Sequence, residues 1–161
     1  MMDAAARGLI RKLDLRPHPE GGFYREIHRS AEIVTARQGR RAALTTIYFL
    51  LDRGQKSVFH RVASDEVWHY YAGAPLRLWR VPADFRSSER IALGPHGRGR
   101  VPVAVIAAGE WQAAETTGAY TLVGCTVGPG FDFADFRMLR DEPREAARLR
   151  KAFPALAARF I

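Results

Sequence analysis

His60 and Glu66 are the two residues whose types and spacing most directly suggest chemistry. They sit on neighbouring β-prone runs, near 57–62 and 65–72. Side chains alternate along a strand, so His60 and Val62 share one face, while Glu66, Trp68 and Tyr70 share another. If these strands form part of a barrel with His60 inside, Glu66, Trp68 and Tyr70 line the same pocket, and His69 turns the opposite way. A carboxylate among Trp and Tyr is costly to bury without a partner. An imidazole beside a carboxylate suits removal of a proton next to a carbonyl: His60 as base, Glu66 orienting it, and Tyr70 or Tyr48 returning the proton. The plain structural alternative is Glu66 paired with an arginine at the sheet rim.

A second polar concentration lies upstream, in LRPHPEGGFYREIH. Pro17 and Pro19 forbid helix and Gly21-Gly22 give a turn, so this segment can be a tight turn that starts a sheet. Yet His18, Glu20, Tyr24, Arg25 and Glu26 are a dense polar set for a turn alone. Alternation from Phe23 to His28 predicts a strand with Phe23, Arg25 and Ile27 on one face and Tyr24, Glu26 and His28 on the other. In a ligand-binding reading, Arg25 holds an anionic group and Trp68 or Trp111 stacks on a sugar or base.

The elements that must position these residues are short strands. LTTIYFLL, residues 44–51, is apolar, β-branched and aromatic, and ends at the turn signal Asp52-Arg53-Gly54. Further strands are predicted at 75–81, 88–93, 101–106, 110–115 and 119–127. Residues 29–43 read as a mobile loop or irregular hairpin. Phe131, Phe133 and Phe136 are expected to close one side of the barrel. Residues 4–13 predict an amphipathic helix capped by Asp3, with Leu9, Ile10 and Leu13 on one face. The last twenty residues predict a helix interrupted by Pro154, with Asp141 as cap and Pro143 in the first turn. Regular short strands with terminal helices point to an all-β antiparallel barrel or jelly roll.

Composition narrows the classes. The 161 residues, 47% hydrophobic, suit a single domain over 1–161 with a sizeable core. The net charge of +8 is nearly all arginine, with lysine only at 12, 56 and 151. The arginines are scattered without an aromatic-basic pattern, which argues against nucleic acid. No apolar run reaches the ~20 residues that cross a bilayer, and no secretory signal is legible, so a cytoplasmic protein is expected. The single cysteine, Cys125, reads as a buried inert thiol.

The stretch GQKSVFHRVASDEVWHYYAG, residues 54–73, resembles the first motif of the cupin superfamily, G-x5-H-x-H-x3-E-x6-G. Gly54, His60, Glu66 and Gly73 fit, and Val62 stands where the motif has its second histidine. AAGEWQAAET resembles a degraded second motif, G-x5-P-x-G-x2-H-x3-N, with Gly109 at the central glycine and Gln112 at the histidine. HPEGGFYRE, TTIYFLL, FHRVASDEVWHYYAG, GEWQAA and TLVGCTVGPGFDFADF together resemble Cupin family 5, formerly a domain of unknown function, over residues 18–136. The resemblance implies a cupin barrel like that of the deoxysugar-nucleotide epimerases, usually dimeric, and brings no established reaction. Tyr71, assigned by parity to the outer face, is in keeping with a homodimer. In such a barrel the motif residues usually hold a metal. Here His60, Glu66 and the amide oxygen of Gln112 would remain, a weak divalent site, so no cofactor is expected.

Three functions follow as expectations. The first is a metal-independent sugar or sugar-nucleotide epimerase or isomerase using His60, Glu66 and Tyr70, with His18, Glu20, Tyr24, Arg25, Tyr48, Trp68, Trp111 and Gln112 binding the small polar or anionic ligand. The second is a non-catalytic binding cupin. The third is a metal-dependent cupin enzyme, disfavoured by Val62 and Gln112.

Overall fold

Asp3 caps the first helix, its carboxylate accepting the backbone N–H groups of Ala5 and Ala6 at 2.9 and 3.3 Å. The structure, a computed structural model, describes residues 2–161. Helix α1 (Ala4–Lys12) leads into β1 (Arg16–Pro17), β2 (Phe23–Arg29), the hairpin β3 (Ile33–Ala36) and β4 (Gly39–Ala42), and β5 (Thr45–Asp52). Then come β6 (Lys56–Arg61), β7 (Asp65–Gly73), β8 (Leu76–Val81), β9 (Glu89–Leu93), β10 (Val103–Ile106), β11 (Trp111–Thr116) and β12 (Tyr120–Gly128). Two short 3-10 turns flank β13 (Arg137–Met138), and α2 (Pro143–Ala152) and α3 (Pro154–Phe160) end the chain.

The strands form two facing antiparallel sheets. One has the order β1-β2-β5-β12-β7-β10, the other β13-β6-β11-β8-β9, and β3-β4 stands apart as a ribbon. Between the sheets lies a core including Phe49, Leu51, Trp68, Leu78, Ile106 and Val123. Helices cover parts of both outer faces. Leu9, Ile10 and Leu13 pack α1 and the turn after it over Leu50, Leu122 and Tyr48. Leu149, Ala157 and Phe160 of the C-terminal helices pack over Phe59, Val81 and Trp111. Covering both faces of a strand removes its polar alternation: the first five residues of β11 are all buried.

The helix boundaries differ from expectation at one cap. Asp141 ends a 3-10 turn, and Glu142 is the N-cap of α2, without a side-chain hydrogen bond. Pro154 starts α3 rather than bending one helix, because its missing N–H costs nothing at the first helical position. Residues 33–42, within the stretch expected to be a mobile loop or irregular hairpin, form the regular β3-β4 hairpin.

Candidate functional site

The turn at residues 18–22 carries two side chains into the barrel. His18 and Gly22 pair by backbone at 3.0 Å, and the Gly21 N–H returns to the His18 carbonyl at 3.0 Å. Gly21 and Gly22 have φ of +107° and +73°, and a Cβ on either would strike the backbone of Lys56 or Leu50. Two glycines are therefore what let the turn lie against β5 and β6. The Glu20 carbonyl then accepts the Val58 N–H at 2.9 Å, and its side chain points inward.

Three bulges fix which residues reach the lumen. β2 and β5 slip register between Glu26 and His28, so Ile27 is the extra residue. Tyr24, Glu26 and Arg29 consequently share the inward face, whereas the alternation expected His28 on one face with Tyr24 and Glu26. β6 slips against β11 near Val58 and Phe59, which turns both Ser57 and His60, three apart, toward the interior. β7 slips against β12 at Tyr71.

The resulting cavity has a volume of about 450 Å³. His18, Glu20, His60 and Glu66 form its polar end, Phe49, Phe131 and Phe136 line its walls, and Glu26, Arg29 and Asp132 also border it. Phe136 stacks on His60 at 5.4 Å between centroids, and Phe133 stacks on His18 at 6.2 Å. The segment carrying these rings is tied down by Arg41, whose guanidinium donates to both oxygens of Asp135 at 2.7 and 2.8 Å.

Glu20 is the hub. Its Oε1 accepts the Ser57 hydroxyl at 2.8 Å, and its Oε2 lies 3.1 Å from His60 Nε2 and 3.4 Å from His18 Nδ1. His60 Nδ1 faces the Val58 carbonyl at 2.9 Å, which can only accept, so Nδ1 donates and neutral His60 offers a lone pair at Nε2. His18 Nδ1 spends its one lone pair on the Glu20 backbone N–H at 3.3 Å. The 3.1 Å contact between Glu20 Oε2 and His60 Nε2 therefore needs one proton between them. Burial favours the carboxyl as its holder. It raises the Glu20 carboxyl to about 8 and lowers His18 to about 3, and it lowers His60 as well.

Glu66 belongs to a separate network. Trp68 Nε1 donates to Gln112 Oε1 at 2.8 Å, and Gln112 Nε2 donates to Glu66 Oε2, linking the two sheets. Burial raises the Glu66 carboxyl, while nearby His60 lowers it in part. Burial also raises the Cys125 thiol well above its usual value, in keeping with an inert buried cysteine.

Several expected site residues lie elsewhere. The carboxyl against His60 is Glu20, not Glu66. Tyr70 packs on the inter-sheet core and spends its hydroxyl on the Gly73 carbonyl at 2.6 Å, outside the cavity lining. Tyr48 is on the outer face under α1, edge-on to Tyr71. Arg25 donates to the Leu13 carbonyl at 3.2 Å and borders a shallow surface depression instead. Trp111 packs under the C-terminal helices with Arg61 over its ring. Trp68 and Gln112 are interior but stand behind Glu66. His18, Glu20, Tyr24, His60 and Glu66 do share the cavity. Ser57, Arg29 and Asp132 went unrecognised in the sequence; bulges hide the first two, and Asp132 gives no signal beyond its aromatic neighbours.

A family model described as "Cupin superfamily (DUF985)", Cupin_5, matches residues 7–139. The chain belongs to the Cupin_5 family. A hypothetical protein from Leishmania major is similar in structure, at 34% identity, with 96% of this chain and 97% of that one covered and a TM-score of 0.86. A Shewanella oneidensis protein aligns at 32% identity over 98% and 94% of the two chains, with a TM-score of 0.82. Bacillus subtilis oxalate decarboxylase shares the fold alone, at 16% identity and a TM-score of 0.59, over 91% of this chain and 36% of the enzyme. No curated protein matches. Among the described residues, no helix is long and apolar enough to cross a membrane.

Cupins commonly hold a metal, and the donors present do not fit one. Val62 contributes an isopropyl group to the cavity where the motif has imidazole. Both ends of the Gln112 amide are committed within the protein. Glu20 Oε2 and His60 Nε2 are in contact with each other at 3.1 Å, and His18 Nδ1 is taken by the Glu20 backbone N–H. Among the described residues, no group of three or more His, Cys, Asp or Glu is placed to hold a metal ion.

Proposed function

We propose that this cupin moves protons on a small carbonyl compound held in its lumen, as an isomerase or epimerase does. The observation that carries the reading is the single proton required between Glu20 Oε2 and His60 Nε2 at 3.1 Å. A carboxyl with its proton held to about 8 can give that proton to a carbonyl oxygen at neutral pH. The carboxylate and imidazole left behind can then accept a proton from the adjacent carbon. Ser57 fixes the carboxyl rotamer, and the Val58 carbonyl fixes the His60 tautomer. Glu66, from the opposite sheet, offers a second proton-holding carboxyl, which inversion at carbon needs. Sugars, the substrate class implied by resemblance to sugar epimerases, fit the cavity in size.

The test is incubation with a panel of free aldoses and ketoses in D2O, with exchange of the proton beside the carbonyl followed by NMR. Exchange abolished by Glu20→Gln supports the reading. Ligand binding without exchange selects the non-catalytic binding module instead. Self-association as a homodimer is part of the same proposal. Tyr71, Val103 and Val105 leave exposed apolar side chains on the outer face of the larger sheet. Sedimentation at micromolar concentration showing a single 18.0 kDa species would remove it.

A further inference from the structure

Among the described residues lining the cavity, Arg29 is the one with a permanent positive charge. Its guanidinium is already engaged. Nε and Nη2 donate to the two oxygens of Glu26 at 3.0 and 2.8 Å, and Nη2 also reaches the Phe131 carbonyl at 3.0 Å. A second carboxylate, Asp132, lines the cavity and lies near the same arginine. Glu26 occupies the Nε–Nη2 edge of the guanidinium and Asp132 adds negative charge nearby, whereas phosphate recognition needs an arginine fork turned to the ligand. Deeper in, His60 turns its Nε2 lone pair to Glu20 and His18 Nδ1 accepts a backbone N–H, so an anion placed beside them would be buried without a partner.

The walls are apolar. Phe136 faces His60 and Phe133 faces His18, each nearly parallel, at 29° and 26°. A cavity of about 450 Å³ is in the range that encloses a small organic molecule.

We infer that Glu26 is a specificity-determining residue: by holding Arg29 it excludes anionic ligands, and the lumen takes an uncharged hydroxycarbonyl compound with an apolar face. The hydroxycarbonyl part rests on the proton-transfer reading, while the exclusion of anions rests on the rim alone. It also replaces the expected capture of an anionic group by Arg25, whose side chain lies outside the cavity.

The experiment measures dissociation constants by NMR titration for two matched pairs: 2-hydroxyacetophenone with its phosphate ester, and xylose with xylose 5-phosphate. In the unmodified protein each neutral member should bind at least about tenfold more tightly than its phosphate. The variant Glu26→Gln with Asp132→Asn keeps the side-chain shapes and an Asn cap at 132 while freeing Arg29. There the phosphates should gain about tenfold, and thermal melting checks that the fold is kept. If the variant does not fold, the comparison in the unmodified protein decides. Phosphates binding more tightly in the unmodified protein, an unchanged preference in a folded variant, or no binding of any member at millimolar concentration overturns the inference. Neutral selectivity without deuterium exchange would leave the rim argument standing and sink proton transfer. Exchange with phosphates preferred would do the reverse.

Discussion

Glu20 Oε2 lies 3.1 Å from His60 Nε2, joining a turn ahead of the first long strand to β6 of the five-stranded sheet. Both groups are buried, and each is oriented by its own second partner, Ser57 for Glu20 and the Val58 carbonyl for His60. The pair is therefore held in this geometry by the protein itself.

Glu20→Gln keeps an acceptor for Ser57 and removes the acidic proton. Deuterium exchange on a substrate should fall about a hundredfold or more, the usual worth of a positioned acid–base group, with little change in ligand affinity. Glu66→Gln should lower exchange less if Glu66 serves only the return step. Equal and complete loss in both variants would make the two carboxyls one unit and contradict separate roles.

Stability should depend on pH from both sides. The Glu20 carboxyl is raised from 4.5 to about 8, so its contribution is full below 4.5 and is lost as pH climbs toward 8. His18 is lowered from 6.5 to about 3, so its contribution is full above 6.5 and is lost as pH falls toward 3. The two slopes oppose one another between 4.5 and 6.5, so the melting temperature should plateau there and decline beyond either end. Glu20→Gln should flatten the alkaline decline specifically, as melting curves across this range will show.

Val62→His should tighten zinc binding, because it adds an imidazole to the cavity beside His60. Calorimetry should find the unmodified protein losing zinc to a chelator wash and the variant retaining more. Stoichiometric metal surviving that wash in the unmodified protein would contradict the misfit of its donors.

Asp135→Ala should free the aromatic segment above the cavity. The Arg41–Asp135 pair is partly buried and bidentate, so losing it should loosen this segment and lower the melting temperature. Amide exchange of Ala134 and Phe136 should accelerate more than that of β5. Unchanged exchange would mean the stacked rings alone hold the segment.

Much of the barrel was legible because its strands announce themselves by short β-branched runs between turn signals. Parity also grouped Tyr24 with Glu26 on one face, and placed Glu66 on the side of His60, as the cavity has them. It failed wherever a strand gained a residue: Ile27 moves Arg29 inward, and the slip at Val58–Phe59 does the same for Ser57. Trp111 was misread for another reason. With helices over the outer face of β11, apolar residues on both sides look alike in sequence. The contact of Glu20 with Ser57 spans 37 positions, and no local pattern reports a contact of that range.

The extra residue at Ile27 sets the spacing of the rim pair. Glu26 pairs with Ile47 and Arg29 with Thr45, so both face the cavity although they are three apart in sequence. Removing Ile27 would leave both pairings in place and bring Arg29 to the ordinary two-residue spacing from Glu26, still facing inward. The entrance would thus keep its charged residues through a single codon deletion, with Glu20 and His60 untouched.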